Sequence, residues 1–197
     1  MSTEDEERLP RVRFGSPRQE IIPGLWLGDR LSAHNYESLK EDNIFYVLSV
    51  VDGYDLAIDP RLIRHSINID DSESSDLLIH LPPAIVFIQK ALDSGQGILV
   101  HCKAGISRSP SVVAAYLMFT RNVDVSTALS TIRGRRGFIY PNDSFMKQLE
   151  LFHTATCSLL NGDKDTRASS LERAVEDVRS RATFRAILDF WDPTAQA

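Results

Sequence analysis

The sequence contains few cysteines, little glycine and proline, and no long apolar run. Its 197 residues include two cysteines, Cys102 and Cys157, ten glycines and nine prolines. Two thiols cannot build a disulfide framework or a four-cysteine zinc site, and so little glycine and proline excludes collagen-like and low-complexity chains. No apolar run reaches the roughly 20 residues needed to cross a bilayer, and the acidic start MSTEDEERLP is unlike a signal or transit peptide. We therefore expect no membrane span and a cytoplasmic protein, with the nucleus as a further location.

The charge is unevenly distributed along the chain. The net charge is −5, but residues 101–150 carry +4 and the remainder carries −9. An acidic body argues against a nucleic-acid partner, whereas a local positive region favours a small anionic ligand. Scattered surface charges are the alternative explanation.

The chain is long enough for one well-buried domain. Residues 1–17 are charged, lack an apolar period and are predicted to form a flexible tail. Residues 18–160 form the predicted domain. Residues 161–197 are expected to hold a linker and an amphipathic helix, which either packs back on the domain or binds a partner.

Apolar periodicity predicts an α/β fold. A hairpin is expected over 21–27 and a helix over about 31–42, with Leu31, Tyr36 and Leu39 facing the core. Strands are expected at 44–51, 64–69 and 97–102, and helices from Leu81 to just before Gly95 and over 109–121, 125–133 and 145–160. A strand, a helix and a strand of these lengths form a parallel crossover. Ligands of such sheets bind at the carboxyl ends of the strands, here beside Cys102.

The segment HCKAGISRS, residues 101–109, joins that buried strand to a helix. A loop wrapped in front of a helix N-terminus can direct several amides at one centre and bind an anion there. A helix N-terminus and the Arg108 guanidinium are expected to lower the pKa of Cys102, making it a thiolate nucleophile. Arg108 can hold two phosphate oxygens, and Ser109 can donate its hydroxyl to the departing sulfur. A buried, inert thiol is the alternative for Cys102 and the expectation for Cys157.

The same segment resembles the signature of the cysteine-dependent protein tyrosine phosphatases, and specifically that of the dual-specificity phosphatase family. The resemblance extends over about residues 19–153, through IIPGLWLGD, FYVLSVV, VAAYLM and IRGRRGFIYPNDSFMKQLELF; residues 52–66 carry no recognisable feature. It implies a single compact α/β domain with a mostly parallel central sheet flanked by helices, no cofactor, no metal and a phosphate-monoester substrate. The phosphate is expected to be bound by Lys103, Ala104, Gly105, Ile106, Ser107 and Arg108. Residues 102–108 are called the phosphate loop below.

The resemblance also implies supporting residues and a general acid. His101 would order the loop and tune the thiol, and Asn142 would brace the loop. The family's general acid, an aspartate about thirty residues before the cysteine, protonates the leaving group. Aligning Ile67-Asn68-Ile69 selects Asp71, with Asp70 as the alternative and solvation of a loop by both carboxylates as the third possibility.

A chain of this size has little material for a deep pocket, so the expected substrates are phosphotyrosine and phosphoserine or phosphothreonine proteins. Hydrolysis would pass through a phosphocysteine intermediate. A phosphoinositide phosphatase is an alternative because some lipid-directed relatives share HCKAG, although they add a second basic residue where this chain has Ile106. A phosphate-binding or scaffolding module with little turnover is the other alternative.

Overall fold

A computed structural model of the chain describes residues 17–53 and 58–160. The strands of this part are β1 (Arg18–Ile22), β2 (Leu25–Gly28), β3 (Ile44–Val51), β4 (Ile63–Asn68) and β5 (Gly97–His101). The helices are α1 (Tyr36–Glu41), α2 (Leu81–Asp93), α3 (Arg108–Arg121), α4 (Val125–Arg133) and α5 (Asp143–Leu160). Residues 1–16 of the predicted tail, and the predicted linker and helix over 161–197, lie outside the described residues.

The five described strands form one sheet in the order β1-β2-β5-β3-β4. β1 is antiparallel to β2, and the three other neighbouring pairs are parallel. The predicted α/β fold with a mostly parallel sheet is therefore confirmed. β5 lies in the middle of the sheet and all five of its residues are buried, so the chain that leaves β5 emerges at the centre of one sheet edge.

The segment between β2 and β3 differs from its prediction. Instead of one helix over 31–42, there is a 3₁₀ turn at Leu31–Ala33 and then the short helix α1. Asn35 separates them because its side chain accepts a hydrogen bond from the Ser38 amide and so begins a new helix. The predicted core position of Leu31 is wrong: its side chain is 73% exposed, while Leu39 is fully buried.

Helices cover both faces of the sheet. The apolar residues of α2, α3, α4 and α5 pack with those of β5 that point to one face, Ile98 and Val100. The intervening Leu99 points to the other face and packs with Leu39 of α1. Phe145, Leu149 and Phe152 of α5 are fully buried, as their helical spacing predicts. No helix of the described ranges is long and apolar enough to cross a membrane.

Candidate active site

The phosphate loop joins the central strand β5 to α3, whose residues 108–118 are all buried. β5 ends at His101, one residue earlier than predicted, and α3 begins at Arg108. Ser107 precedes the helix, and its carbonyl accepts hydrogen bonds from both the amide and the hydroxyl of Ser111. Gly105 has a φ of +68°, a left-handed conformation that lets the chain reverse around Cys102. The sequence therefore places the loop at the carboxyl end of the central strand, as predicted.

The Cys102 sulfur lies inside this loop, and Cys102 is only 2% exposed. Burial by itself raises the pKa of the thiol, but the hydroxyl and amide of Ser109 and the amides of Ile106 and Gly105 outweigh it and lower the pKa below its ordinary value. The Gly105 amide donates to Cys102 Sγ at 3.2 Å. The main lowering causes are thus hydrogen bonds rather than the Arg108 guanidinium that the sequence suggested. The Cys102 sulfur thus lies within a ring of hydrogen-bond donors that favour its ionised form.

Ser109 lies in the first turn of α3 and is fully buried. Its hydroxyl makes no hydrogen bond of ordinary geometry with the described residues, yet it is close enough to the sulfur to lower the pKa of Cys102. Such a hydroxyl can donate to a sulfur that carries developing negative charge.

Arg108 is held by two groups outside the loop, which follow the carboxyl ends of β3 and β4. Its Nη1 donates to the Ile69 carbonyl at 3.1 Å and to Asp52 Oδ1 at 3.2 Å. Nε is buried, has no hydrogen-bond partner within the described ranges, and lies 3.7 Å from Asp71 Oδ2. One side of the guanidinium is therefore fixed while Nε stays free to donate to an oxyanion.

The sequence analysis missed Asp52, which follows β3 directly and lines the same cavity as Cys102. The hydrogen bond from Arg108 lowers the pKa of this carboxyl, so it stays charged. Its position after a parallel strand next to β5 was the available signal, because the carboxyl ends of parallel strands meet at one edge.

Asp71 is bound to the phosphate loop. Its Oδ1 accepts a 2.6 Å hydrogen bond from Ser107 Oγ and a 2.9 Å hydrogen bond from Asn142 Nδ2. The backbone amide of Asn142 in turn donates to Ser107 Oγ at 3.1 Å. Asp70 also lines the cavity. Asn142 thus reaches the loop through a side chain, Ser107, and joins it to Asp71.

His101 lies fully buried behind the nucleophile. Its Nδ1 is 3.3 Å from the Cys102 carbonyl and its Nε2 is 2.8 Å from Ser49 Oγ. A carbonyl oxygen only accepts, so in the neutral ring Nδ1 carries the proton and Nε2 accepts from Ser49. Ser49, a residue of β3 that the sequence analysis did not single out, therefore fixes the histidine.

A cavity of about 420 Å³ opens onto these groups. Its lining brings together eight predicted residues, Asp70, Asp71, Cys102, Lys103, Ala104, Ile106, Ser107 and Arg108, with Asp52 in addition. The predicted His101, Gly105, Ser109 and Asn142 are not among the lining residues. In the described part of the chain, no group of three or more His, Cys, Asp or Glu side chains is arranged to hold a metal ion. The arrangement places a thiol with a lowered pKa, inward amides, a guanidinium and carboxyl groups around one space.

Comparisons with known proteins match this chain to one protein family. Residues 25–155 match the family model "Dual specificity phosphatase, catalytic domain". The chain is 43% identical over 143 residues to the dual specificity protein phosphatase Mpk3 of Drosophila melanogaster, covering 68% of this chain and 34% of that protein. It is 36% identical over 138 residues to dual specificity protein phosphatase 1B of Arabidopsis thaliana, covering 70% and 83%.

The fold is shared with solved structures. The crystal structure of human DUSP28 superposes with a TM-score of 0.68 at 28% identity, covering 74% of this chain and 98% of that chain. The chain spans about a third of the length of the Drosophila relative, so the match to that protein concerns a segment of it.

Proposed function

The chain belongs to the dual-specificity phosphatase family, and from this premise we propose that it hydrolyses phosphate monoesters on phosphotyrosine and on phosphoserine and phosphothreonine residues of proteins. The observation that carries the proposal is the environment of Cys102. Its sulfur is enclosed by amides and by Ser109, which hold the thiol pKa below its ordinary value, and Arg108 and Asp71 line the same cavity.

In the first step, the Cys102 thiolate attacks phosphorus, so that a P–S bond forms as the bond to the ester oxygen breaks. The phosphoryl oxygens gain charge density in the transition state, and the inward amides and the Arg108 guanidinium can stabilise them by charge-assisted hydrogen bonds. Nη1 of Arg108 is already engaged by Ile69 and Asp52. Its orientation is therefore set before the substrate arrives.

The leaving oxygen needs a proton, and we assign its delivery to Asp71. The hydrogen bonds from Ser107 and Asn142 hold Oδ1 of this carboxyl at the edge of the cavity, while Oδ2 is the oxygen nearer Arg108. In the second step, the resulting carboxylate takes a proton from water as that water attacks phosphorus. The P–S bond then breaks, and the Ser109 hydroxyl can stabilise the released thiolate.

Charge at the cavity supports a protein substrate over a phosphoinositide. A polyphosphorylated headgroup needs several cations, but Lys103 and Arg108 are the only basic side chains among the described residues that line the cavity. Ile106 lines the cavity at the position where lipid-directed relatives of the family carry a second basic residue, and Asp52 and Asp70 add negative charge. These carboxylates would repel a second phosphate. The single phosphate of a phosphorylated side chain can still be bound by Arg108 and the loop amides.

The first experiment measures hydrolysis of para-nitrophenyl phosphate with chelator present, by the wild type and by Cys102→Ser. We expect chelator-resistant activity that falls below about 1% of wild type in the variant, because a serine hydroxyl is not ionised at neutral pH. A folded, reduced wild type without activity would instead support the phosphate-binding or scaffolding alternative.

Substitutions at the adjacent residues Asp70 and Asp71 test which carboxyl group is the general acid. Asp71→Asn should slow hydrolysis of a phosphotyrosine peptide by about 10²- to 10⁴-fold, and should affect para-nitrophenyl phosphate much less because its leaving group is a weaker base. Asp70→Asn is the matched control, since Asp70 lines the same cavity. A larger loss in Asp70→Asn would transfer the role to Asp70.

The substrate class is decided by comparing the rates at which the wild type hydrolyses phosphopeptides and phosphoinositides at equal concentration.

A further inference from the structure

The carbonyl oxygens of residues 102–107 all accept hydrogen bonds from groups outside that segment. The donors, in loop order, are His101 Nδ1, the Arg30 amide, Arg136 Nη2, Arg136 Nε, the Tyr140 amide and Ser111. The C=O and N–H of a planar trans peptide point in opposite directions. Holding a carbonyl outward therefore turns the amide of the next residue inward, toward the sulfur.

Arg136 supplies two of these six restraints with one planar group. Its Nη2 donates to the Ala104 carbonyl at 3.1 Å and its Nε donates to the Gly105 carbonyl at 2.9 Å. Those carbonyls belong to the peptides whose N–H groups are those of Gly105 and Ile106. The same two amides lower the pKa of Cys102.

The other end of the guanidinium is anchored at the start of the domain. Nη1 donates to the Pro17 carbonyl at 3.3 Å and to the Gln19 side-chain oxygen of β1. Arg136 is half-buried, and space around it is tight: a Cβ on Gly105 would lie 2.5 Å from Arg136 Nη2. The arginine is thus fixed on both sides.

We propose that Arg136 is a positioning residue that sets the anion-binding geometry of the phosphate loop by holding the carbonyls of Ala104 and Gly105 outward. Gln19 positions Arg136 in turn. The expected effect on turnover rests on the proposed phosphatase function, whereas the effects on the thiol and on anion binding do not.

Arg136 also acts on the sulfur through its charge. Burial lowers the pKa of Arg136, and the charges of Asp29 and Cys102 oppose that change; the guanidinium remains protonated. Lysine at this position would keep the charge but lose the planar pair of donors that reaches two successive carbonyls. Arg136→Lys therefore separates the geometric contribution from the electrostatic one.

The experiment compares Arg136→Ala, Arg136→Lys and Gln19→Ala with the wild type. Three readouts are used: the pH dependence of Cys102 alkylation, the Kd for tungstate measured by calorimetry, and kcat and KM for para-nitrophenyl phosphate. Arg133→Ala is the matched control, because Arg133 is exposed at the end of α4. Thermal unfolding is recorded for every variant.

For Arg136→Ala we expect kcat/KM to fall by about 10- to 100-fold, the scale of a small misplacement of catalytic groups. Tungstate should bind more weakly by a similar factor, and the alkylation profile should move to higher pH. Arg136→Lys should lie between this variant and the wild type. Gln19→Ala alone should cause a smaller loss of kcat/KM and of tungstate affinity. In a protein that already carries Arg136→Ala, adding Gln19→Ala should cause no further loss. Arg133→Ala should match the wild type.

A folded Arg136→Ala protein with wild-type alkylation and tungstate affinity would overturn the proposal. If that variant does not fold, unchanged alkylation and affinity in both Arg136→Lys and Gln19→Ala would overturn it equally. Absence of turnover in the wild type would refute the phosphatase function alone, since alkylation and tungstate binding still report the loop geometry.

Discussion

Replacing Gly105 by alanine tests whether the loop geometry described above is required for catalysis. Gly105 has a φ of +68°, and a Cβ built on it would lie 2.6 Å from the backbone oxygen of Gly28. That oxygen belongs to β2 and cannot move without disturbing the sheet. The loop itself must therefore shift, and the 3.2 Å hydrogen bond from the Gly105 amide to Cys102 Sγ is lost or lengthened.

The size of the effect follows from that overlap. A carbon and an oxygen atom need roughly 0.6 Å more separation than this, and misplacing catalytic groups by about 1 Å costs on the order of 10²-fold in rate. The left-handed backbone adds about 1 to 2 kcal/mol of destabilisation for a residue with a Cβ. We expect kcat/KM for para-nitrophenyl phosphate to fall by about 100-fold, with a lower free energy of unfolding in urea.

Gly134→Ala provides the control. Gly134 has a helical φ of −61°, and a Cβ there would meet its nearest atom at an ordinary 3.5 Å. This variant should keep wild-type activity and gain about 0.4 to 1 kcal/mol of stability. A folded Gly105→Ala protein with more than half of the wild-type kcat/KM would show that the tight approach to Gly28 does not constrain the site.

Three further predictions concern stability and pH. Asp42→Asn removes a charge partner of the buried Arg18, 2.7 Å away, and should lower the free energy of unfolding by about 3 to 5 kcal/mol; a loss below about 1 kcal/mol in urea unfolding would contradict this. Leu149→Ala leaves a cavity at a fully buried position of α5 and should cost about 2 to 5 kcal/mol, measured in the same way. Because the thiol pKa of Cys102 is lowered and only the thiolate is alkylated, the rate of iodoacetate labelling of the Cys102 peptide should rise with pH and reach half of its maximum below the ordinary thiol pKa of about 8.5. A midpoint at or above that pH would disprove the lowered pKa.

Most elements could be predicted because their patterns are local. β3 and α4 have the predicted limits, since an apolar run and a helical period are each contained within a single segment. The helix predicted over 31–42 failed because the Asn35 side chain begins a new helix at that point, and a single side-chain hydrogen bond leaves no trace in the periodicity.

The residues around the loop were harder to predict because they come from distant parts of the chain. The loop is one continuous motif, so Cys102 and Arg108 could be identified directly. Asp52 contacts Arg108 across 56 positions and Arg136 contacts Gln19 across 117. No spacing rule links such pairs, and only the assembled sheet shows that they meet.

The strand order has a consequence for how the site around Cys102 assembles during synthesis. β5 is the last of the described strands along the chain but lies between β2 and β3 in the sheet. Until residues 97–101 have left the ribosome, β1-β2 and β3-β4 lack the strand that joins them, so any half-sheets they form have unpaired edges that are open to association with other chains. Insertion of β5 joins the halves, and the next residue is Cys102. The loop around Cys102 can therefore take its position at the sheet edge only once β5 is paired on both sides, so this site is assembled after the two halves of the sheet have met.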